Sequence, residues 1–300
     1  MYARACVVFT CTIFAAALAR PAASQDLEPR AYVNTPVGLN FLLAGAGYTD
    51  GSVVLHTSAP IEDAEIESYV GFLAYVRSLD VFGRSAKIGL IVPFADASGT
   101  ARVAGRPRHR EISGLGDPHF RFSVNFIGAP ALSLQRFAEY EQDLIIGTTL
   151  EVSAPIGQYD SAKLLNIGTN RWSVKQELGV SKAWDRWALE LSSAVLFFTD
   201  NDDFLGGRKL EQRPIHSVQG HVIVDLWPGS WASFDATYYF GGATVIDGVK
   251  GSQPENARVG LTVSLPLSRQ MSVKLYGSTG IYSRTGTEFD AIGLVTQFRW

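Results

Sequence analysis

His119-Phe120-Arg121-Phe122-Ser123-Val124-Asn125-Phe126 decides how the chain is to be read, because polar and apolar side chains alternate through it without a break. A strand sends successive side chains to opposite faces, whereas a helix turns its side chains with a period of about 3.6 residues. The segment is therefore a strand with one wholly apolar face. Asn256 to Leu265 repeats the pattern: Asn256, Arg258, Gly260, Thr262 and Ser264 alternate with Ala257, Val259, Leu261, Val263 and Leu265.

Working outward from these two stretches, the same reading yields twelve candidate strands, at residues 38–48, 67–79, 85–94, 116–127, 142–154, 171–184, 187–199, 213–226, 231–241, 254–265, 270–283 and 287–300. Most exceed the ~9 to 11 residues that carry a tilted strand across a bilayer, and their number is even, as in single-chain bacterial barrels. The connections alternate in kind. Those at 80–84, 185–186, 227–230 and 266–269 are tight, whereas those at 49–66, 95–115, 156–170, 200–212 and 242–253 are long and polar. The periplasmic connection 128–142 is longer, and residues 133–140 suit a short helix. The expected fold is all-β: a transmembrane antiparallel β-barrel of about twelve strands, with short periplasmic turns and long extracellular loops. A soluble lipocalin-like barrel or β-sandwich also alternates, but with shorter strands and a polar outer face.

Tryptophan placement agrees, since indole favours the membrane interface. Trp184, Trp187, Trp227, Trp231 and Trp300 fall at expected periplasmic strand ends and Trp172 at an external one, so all six are expected at girdle depth. The terminal strand, closing on Trp300, has the form of a signal for the barrel-assembly machinery.

Compartment follows from the first residues. Arg4, the apolar stretch 5–18 and Ala22-Ala23-Ser24 form a secretory signal peptide, which divides the chain into a leader at 1–24 and a barrel at 25–300 in the bacterial outer membrane. Both cysteines, Cys6 and Cys11, lie in that leader, so thiol chemistry is excluded from the mature chain. A net charge of −3 with mixed signs gives no nucleic-acid signature. The expected partners are outer-membrane lipids, lipopolysaccharide, the assembly machinery and a small-molecule solute.

With the apolar face turned to lipid, the other face collects Arg121, Arg171, Lys175, Glu177, Glu190, Asp235, Arg258, Lys274 and Arg299. Lysine or arginine facing lipid near the midplane costs ~2 to 4 kcal/mol, so these residues should face the lumen. Two readings stay open: a pore lining that selects by charge, or ion pairs that fill a closed interior. His216 and His221 have odd spacing and face opposite ways, which argues against a shared metal. His216 and Ser217 are adjacent, and the chain has no Gly-x-Ser-x-Gly elbow, so an outer-membrane lipase is the weakest alternative. No catalytic residue or cofactor is expected. Arg102, Arg106, Arg108, His109 and Arg110 make one outer loop basic, within reach of lipopolysaccharide phosphates, and Asp200 to Asp203 reads as a turn.

Four stretches carry a family resemblance: Ser113-Gly114-Leu115-Gly116-Asp117-Pro118, Ala154-Pro155-Ile156-Gly157, Asn166-Ile167-Gly168-Thr169-Asn170-Arg171-Trp172 and Phe198-Thr199-Asp200-Asn201-Asp202-Asp203-Phe204. They resemble the transporter-like family named after the meta-pathway of phenol degradation. The resemblance implies an outer-membrane barrel that helps small hydrophobic or aromatic compounds across, and it implies no catalytic residues. The stretch 166–171 is placed to fold inward over the external mouth.

Overall fold

Alternating side chains leave the backbone of each strand free to bond sideways, and in hydrocarbon every such bond must be made within the protein. A computed structural model shows how the chain meets that demand; it describes residues 27–53, 61–103, 105–251, 253–285 and 287–300. The expected leader lies outside the described residues.

The strands are β1 (Asn40–Val53), β2 (Ile61–Val81), β3 (Arg84–Val103), β4 (Arg106–Leu115), β5 (His119–Ile127), β6 (Leu144–Ser153), β7 (Ser173–Trp184), β8 (Trp187–Phe198), β9 (Asn201–Phe204), β10 (Arg208–Gln212), β11 (Ile215–Trp227), β12 (Ser230–Gly241), β13 (Thr244–Ile246), β14 (Val249–Lys250), β15 (Glu255–Pro266), β16 (Met271–Thr285) and β17 (Thr287–Arg299). Twelve of them form the wall, in the order β1, β2, β3, β5, β6, β7, β8, β11, β12, β15, β16, β17, all neighbours antiparallel. β17 returns to β1, from Phe41 opposite Arg299 to Val53 opposite Thr287, and so closes the barrel. The expected all-β, twelve-stranded barrel is what the chain forms.

Outside the wall the sequence reading needs correction. The expected loop 95–115 is a hairpin: β3 runs on to Val103, and β4 pairs with its outer half from Phe94–Leu115 to Val103–Arg106. β5 takes over on the lower half of β3, from Ile91–His119 to Ala86–Val124. Period two continues above the membrane, and the Arg-rich composition had masked it. Asp200 to Asp203 is likewise largely strand, not turn: β9 pairs with β10, β10 with β13 and β13 with β14, forming a small outer sheet from two expected loops. Its core is Phe204, Leu210 and Ile246. The expected helix in 133–140 is present as one turn, Leu134–Phe137, capped by the Ser133 hydroxyl, which accepts from the Arg136 N–H.

The outer surface explains the environment. Leu42, Leu73, Leu90, Phe120, Leu150, Leu178, Leu191, Val222, Phe234, Leu261, Leu275 and Ile292 are all exposed, one on each successive strand around the wall. So continuous an apolar belt is incompatible with water and is what a bilayer requires. The protein is a membrane-spanning β-barrel. Trp172, Trp184, Trp187, Trp227 and Trp300 are exposed, but Trp231 is not. It turns inward at the periplasmic end, because position 231 shares the face of Ser233 and Asp235 on β12.

Candidate functional site, the barrel interior

The interior has two unlike walls. Inside β1, β2, β3 and β17 stand Phe41, Leu43, Phe72, Ala74, Val76, Ile91 and Val295, one buried apolar cluster. Inside β5 to β8, β11, β12 and β15 stand buried ionisable groups, among them His119, Glu151, Lys175, Glu177, Glu190, His221, Asp235 and Arg258.

Residues 27–38 thread between the two. Val33 packs into the apolar cluster, with Leu39 beside it. Facing the charged wall, the Glu28 carboxylate accepts from both terminal nitrogens of Arg121, at 2.7 and 3.0 Å. Arg121 also donates to Glu151, at 2.9 Å from Nε and 2.7 Å from Nη2. The Tyr32 hydroxyl donates to Glu177 at 2.7 Å, and Lys87 Nζ donates to the Ala31 carbonyl at 2.9 Å. Nearer the periplasm, the Arg30 N–H donates to Glu190 at 2.7 Å, while its guanidinium pairs with Asp225 and lies over the Trp231 ring. Tyr32 needs a flat floor, which Gly147 and Gly179 supply: a Cβ on Gly179 would stand 2.0 Å from its ring. The segment thus makes polar contacts on one side and apolar contacts on the other, as a core element does.

Of the nine residues expected to face the lumen, eight turn into the barrel, in separate groups, while Arg299 is half-buried at the chain's last strand and donates to the Arg269 carbonyl. Arg121, Lys175 and Glu177 gather at the centre; Lys175 lies 3.6 Å from Glu177, and His119 lies 3.2 Å from Glu151. His221 stands opposite Glu190 on one side and Asp235 on the other, and its Nδ1 is 2.8 Å from Asp235, which also accepts from Thr262. Arg171 sits at the outer mouth, over the Phe198 ring and bonded to Gln212. Lys274 is buried opposite Ser264. Arg258 fills a seam: among the described residues the β16–β17 ladder ends at Ser278–Ala291. Its guanidinium donates there to the Phe289 carbonyl and to Ser278, each at 2.8 Å.

At the outer mouth the stretch 166–171 is tied down through Thr169 to Asp117, a residue not among the sequence-predicted site residues. Asp117, buried between β4 and β5, accepts from the Gly157 N–H at 2.8 Å, the Thr169 N–H at 2.9 Å and the Thr169 hydroxyl at 2.6 Å. Asn170 bonds Asn201, which donates in turn to Tyr159 and to the Thr169 carbonyl. Three backbones meet at this point. A Cβ on Gly157 would lie 2.6 Å from Gly116, and one on Gly168 would lie 2.6 Å from Gly157, so only glycine fits. The four stretches quoted for the family resemblance are therefore the parts of one lid, with Ile167 packed on Ala95, Ala97 and Ile112.

Comparison with known proteins bears on this geometry. The family model named for the MetA-pathway of phenol degradation matches residues 45–295. A search of curated proteins finds no match. Among solved structures, the COG4313 outer membrane channel from Pseudomonas putida F1 is similar, with a TM-score of 0.77 and 20% identity over 92% of this chain and 100% of that one. The transport unit of the autotransporter AIDA-I from Escherichia coli is similar at a TM-score of 0.54 and 7% identity, over 89% of this chain and 92% of that one. These likenesses are to membrane barrels and not to enzymes.

Proposed function

The chain belongs to the family named for the MetA-pathway of phenol degradation, and from that premise we propose that it is a passive outer-membrane channel for small, largely apolar or aromatic solutes. The observation that carries this reading is the way the lumen is filled. The closed wall surrounds the segment of residues 27–38, which occupies the lumen through ion pairs, hydrogen bonds and packing, with no covalent bond between the segment and the charged wall. An interior held shut by a movable segment is suited to opening, and half of its lining is apolar. No catalytic role is assigned to any residue. Arg121, Arg171, Lys175, Glu177, Glu190, Asp235, Arg258 and Lys274 serve here as lining and as anchors for the segment and lid. The same reading keeps lipopolysaccharide as a partner of the hairpin tip at Arg102, Arg106 and Arg108, and the assembly machinery as a partner of the strand ending at Trp300.

The test is single-channel conductance of the mature barrel in planar bilayers, beside a variant whose residues 27–36 are replaced by an equal length of Gly and Ser. The expected result is a larger unitary step in the variant. Two correctly folded, equally silent barrels would refute the channel.

A further inference from the structure

Glu28 is the feature of the segment that carries most. The barrel wall around it contributes three cations, Lys87, Arg121 and Lys175, against two carboxylates, Glu151 and Glu177. The third carboxylate comes from the segment itself, and it is held in the planar, two-bonded geometry that guanidinium groups offer to carboxylates. If the segment shifts to let a solute pass, Arg121 loses the carboxylate that Glu28 supplies, and a buried charge gives up one of its partners. A buried charge of that kind needs a replacement partner.

The surroundings say which partner. Beside Glu28 lies a cavity of about 30 Å³, whose lining includes the apolar Pro29, Val76 and Ile91 and the polar Lys87, Arg121 and Thr149. That volume holds about one water molecule, so a solute enters only as the segment yields. The space it would then occupy is apolar at Val76 of β2 and Ile91 of β3 and cationic at Lys87 of β3 and Arg121 of β5.

We infer that Arg121, with Lys87, forms a carboxylate seat, that Glu28 is its tethered occupant, and that the solutes taken are small monocarboxylates with an apolar body, which displace Glu28 from the seat. This rests on the reading of the barrel as a channel, and narrows it from apolar solutes to apolar anions. The segment then acts as a competitor: a neutral solute of the same shape gains nothing from the seat and does not displace Glu28.

The full-length barrel in detergent, titrated calorimetrically with benzoate and with its neutral isostere benzamide, tests this. Glu28→Gln keeps the shape of the segment and removes its charge. It should raise benzoate affinity by about tenfold or more, the scale of one charged hydrogen-bonded contact, and leave benzamide binding unchanged. Arg121→Gln should bring benzoate down to the level of benzamide; if that variant does not fold, Lys87→Gln should lower the benzoate preference about threefold, on the scale of a weaker, longer-range charge contribution. Heat-modifiable migration on gels establishes that each barrel is closed. Benzoate binding no tighter than benzamide in closed Glu28→Gln overturns the seat. Because binding is read apart from passage, silent bilayers with a strong benzoate preference would sink the channel and leave the seat standing, and conducting bilayers without that preference would do the reverse.

Discussion

The two inner walls of the barrel do the same job by different physics. Inside β1, β2, β3 and β17, Phe41, Leu43, Phe72, Val76 and Ile91 exclude water through burial that has no direction. Inside β5, β6, β7, β8 and β12, Arg121, Glu151, Glu177, Glu190 and Asp235 each need a partner at hydrogen-bond distance and have one, while Lys175 lies 3.6 Å from Glu177. The segment 27–38 is shaped by that difference, with Val33 toward the apolar wall and Glu28, Arg30 and Tyr32 toward the charged one. A wall of pairs fixes the segment in one register, because each pair has a direction. A wall of methyl and phenyl groups only keeps the space dry.

The largest expected effect tests whether the charged wall is a set of mutual obligations. Arg121→Met would leave Glu28 and Glu151 buried without their guanidinium, and should cost about 3 to 5 kcal/mol. Urea unfolding of the barrel in lipid vesicles measures it. Adding Glu28→Gln and Glu151→Gln should recover much of the loss, because the obligation is removed along with the partner. A triple variant no more stable than Arg121→Met would break the comparison.

On the apolar wall no such rescue exists. Phe72 is 5% exposed, and its ring lies across Gly45, 2.1 Å from where a Cβ would stand. Phe72→Ala should cost about 3 kcal/mol through the cavity it leaves, whereas Phe72→Leu should cost under about 1.5 kcal/mol. The same unfolding series reads both. Equal losses for the two substitutions would mean that shape and not burial holds this wall.

The charged wall was legible in the sequence and the apolar wall was not, for one reason. His119 to Phe126 and Asn256 to Leu265 have unlike faces, so period two shows which residues turn inward. In Phe41-Leu42-Leu43-Ala44 both faces are apolar, and nothing in the pattern separates Phe41 and Leu43, which turn inward, from Leu42, which meets lipid. The twelve wall strands could be read because each is long and alternates. The segment 27–38 has no period, and its role depends on Arg121, Glu177 and Glu190, which lie some 90 to 160 positions away in the chain. The lid was visible as the four stretches that carry the family resemblance, but not that Asp117 bonds two of them.

The smallest effects separate obligation from mere polarity within the charged wall. Thr262 and Ser233 are both buried hydroxyls, in register on β15 and β12. The Thr262 hydroxyl donates to Asp235 at 2.8 Å. The Ser233 hydroxyl has no hydrogen-bond partner among the described residues. Removing the first leaves a buried carboxylate short of a donor, so Thr262→Ala should cost about 1 to 3 kcal/mol. Removing the second deletes a polar atom that was never satisfied by the protein, so Ser233→Ala should fall within about 0.5 kcal/mol of the parent, or stabilise it slightly. Vesicle unfolding of the two variants side by side resolves that gap. If Ser233→Ala costs as much as Thr262→Ala, the wall is held by its polarity at large, and the pairwise account given for Arg121 and Glu28 loses its footing too.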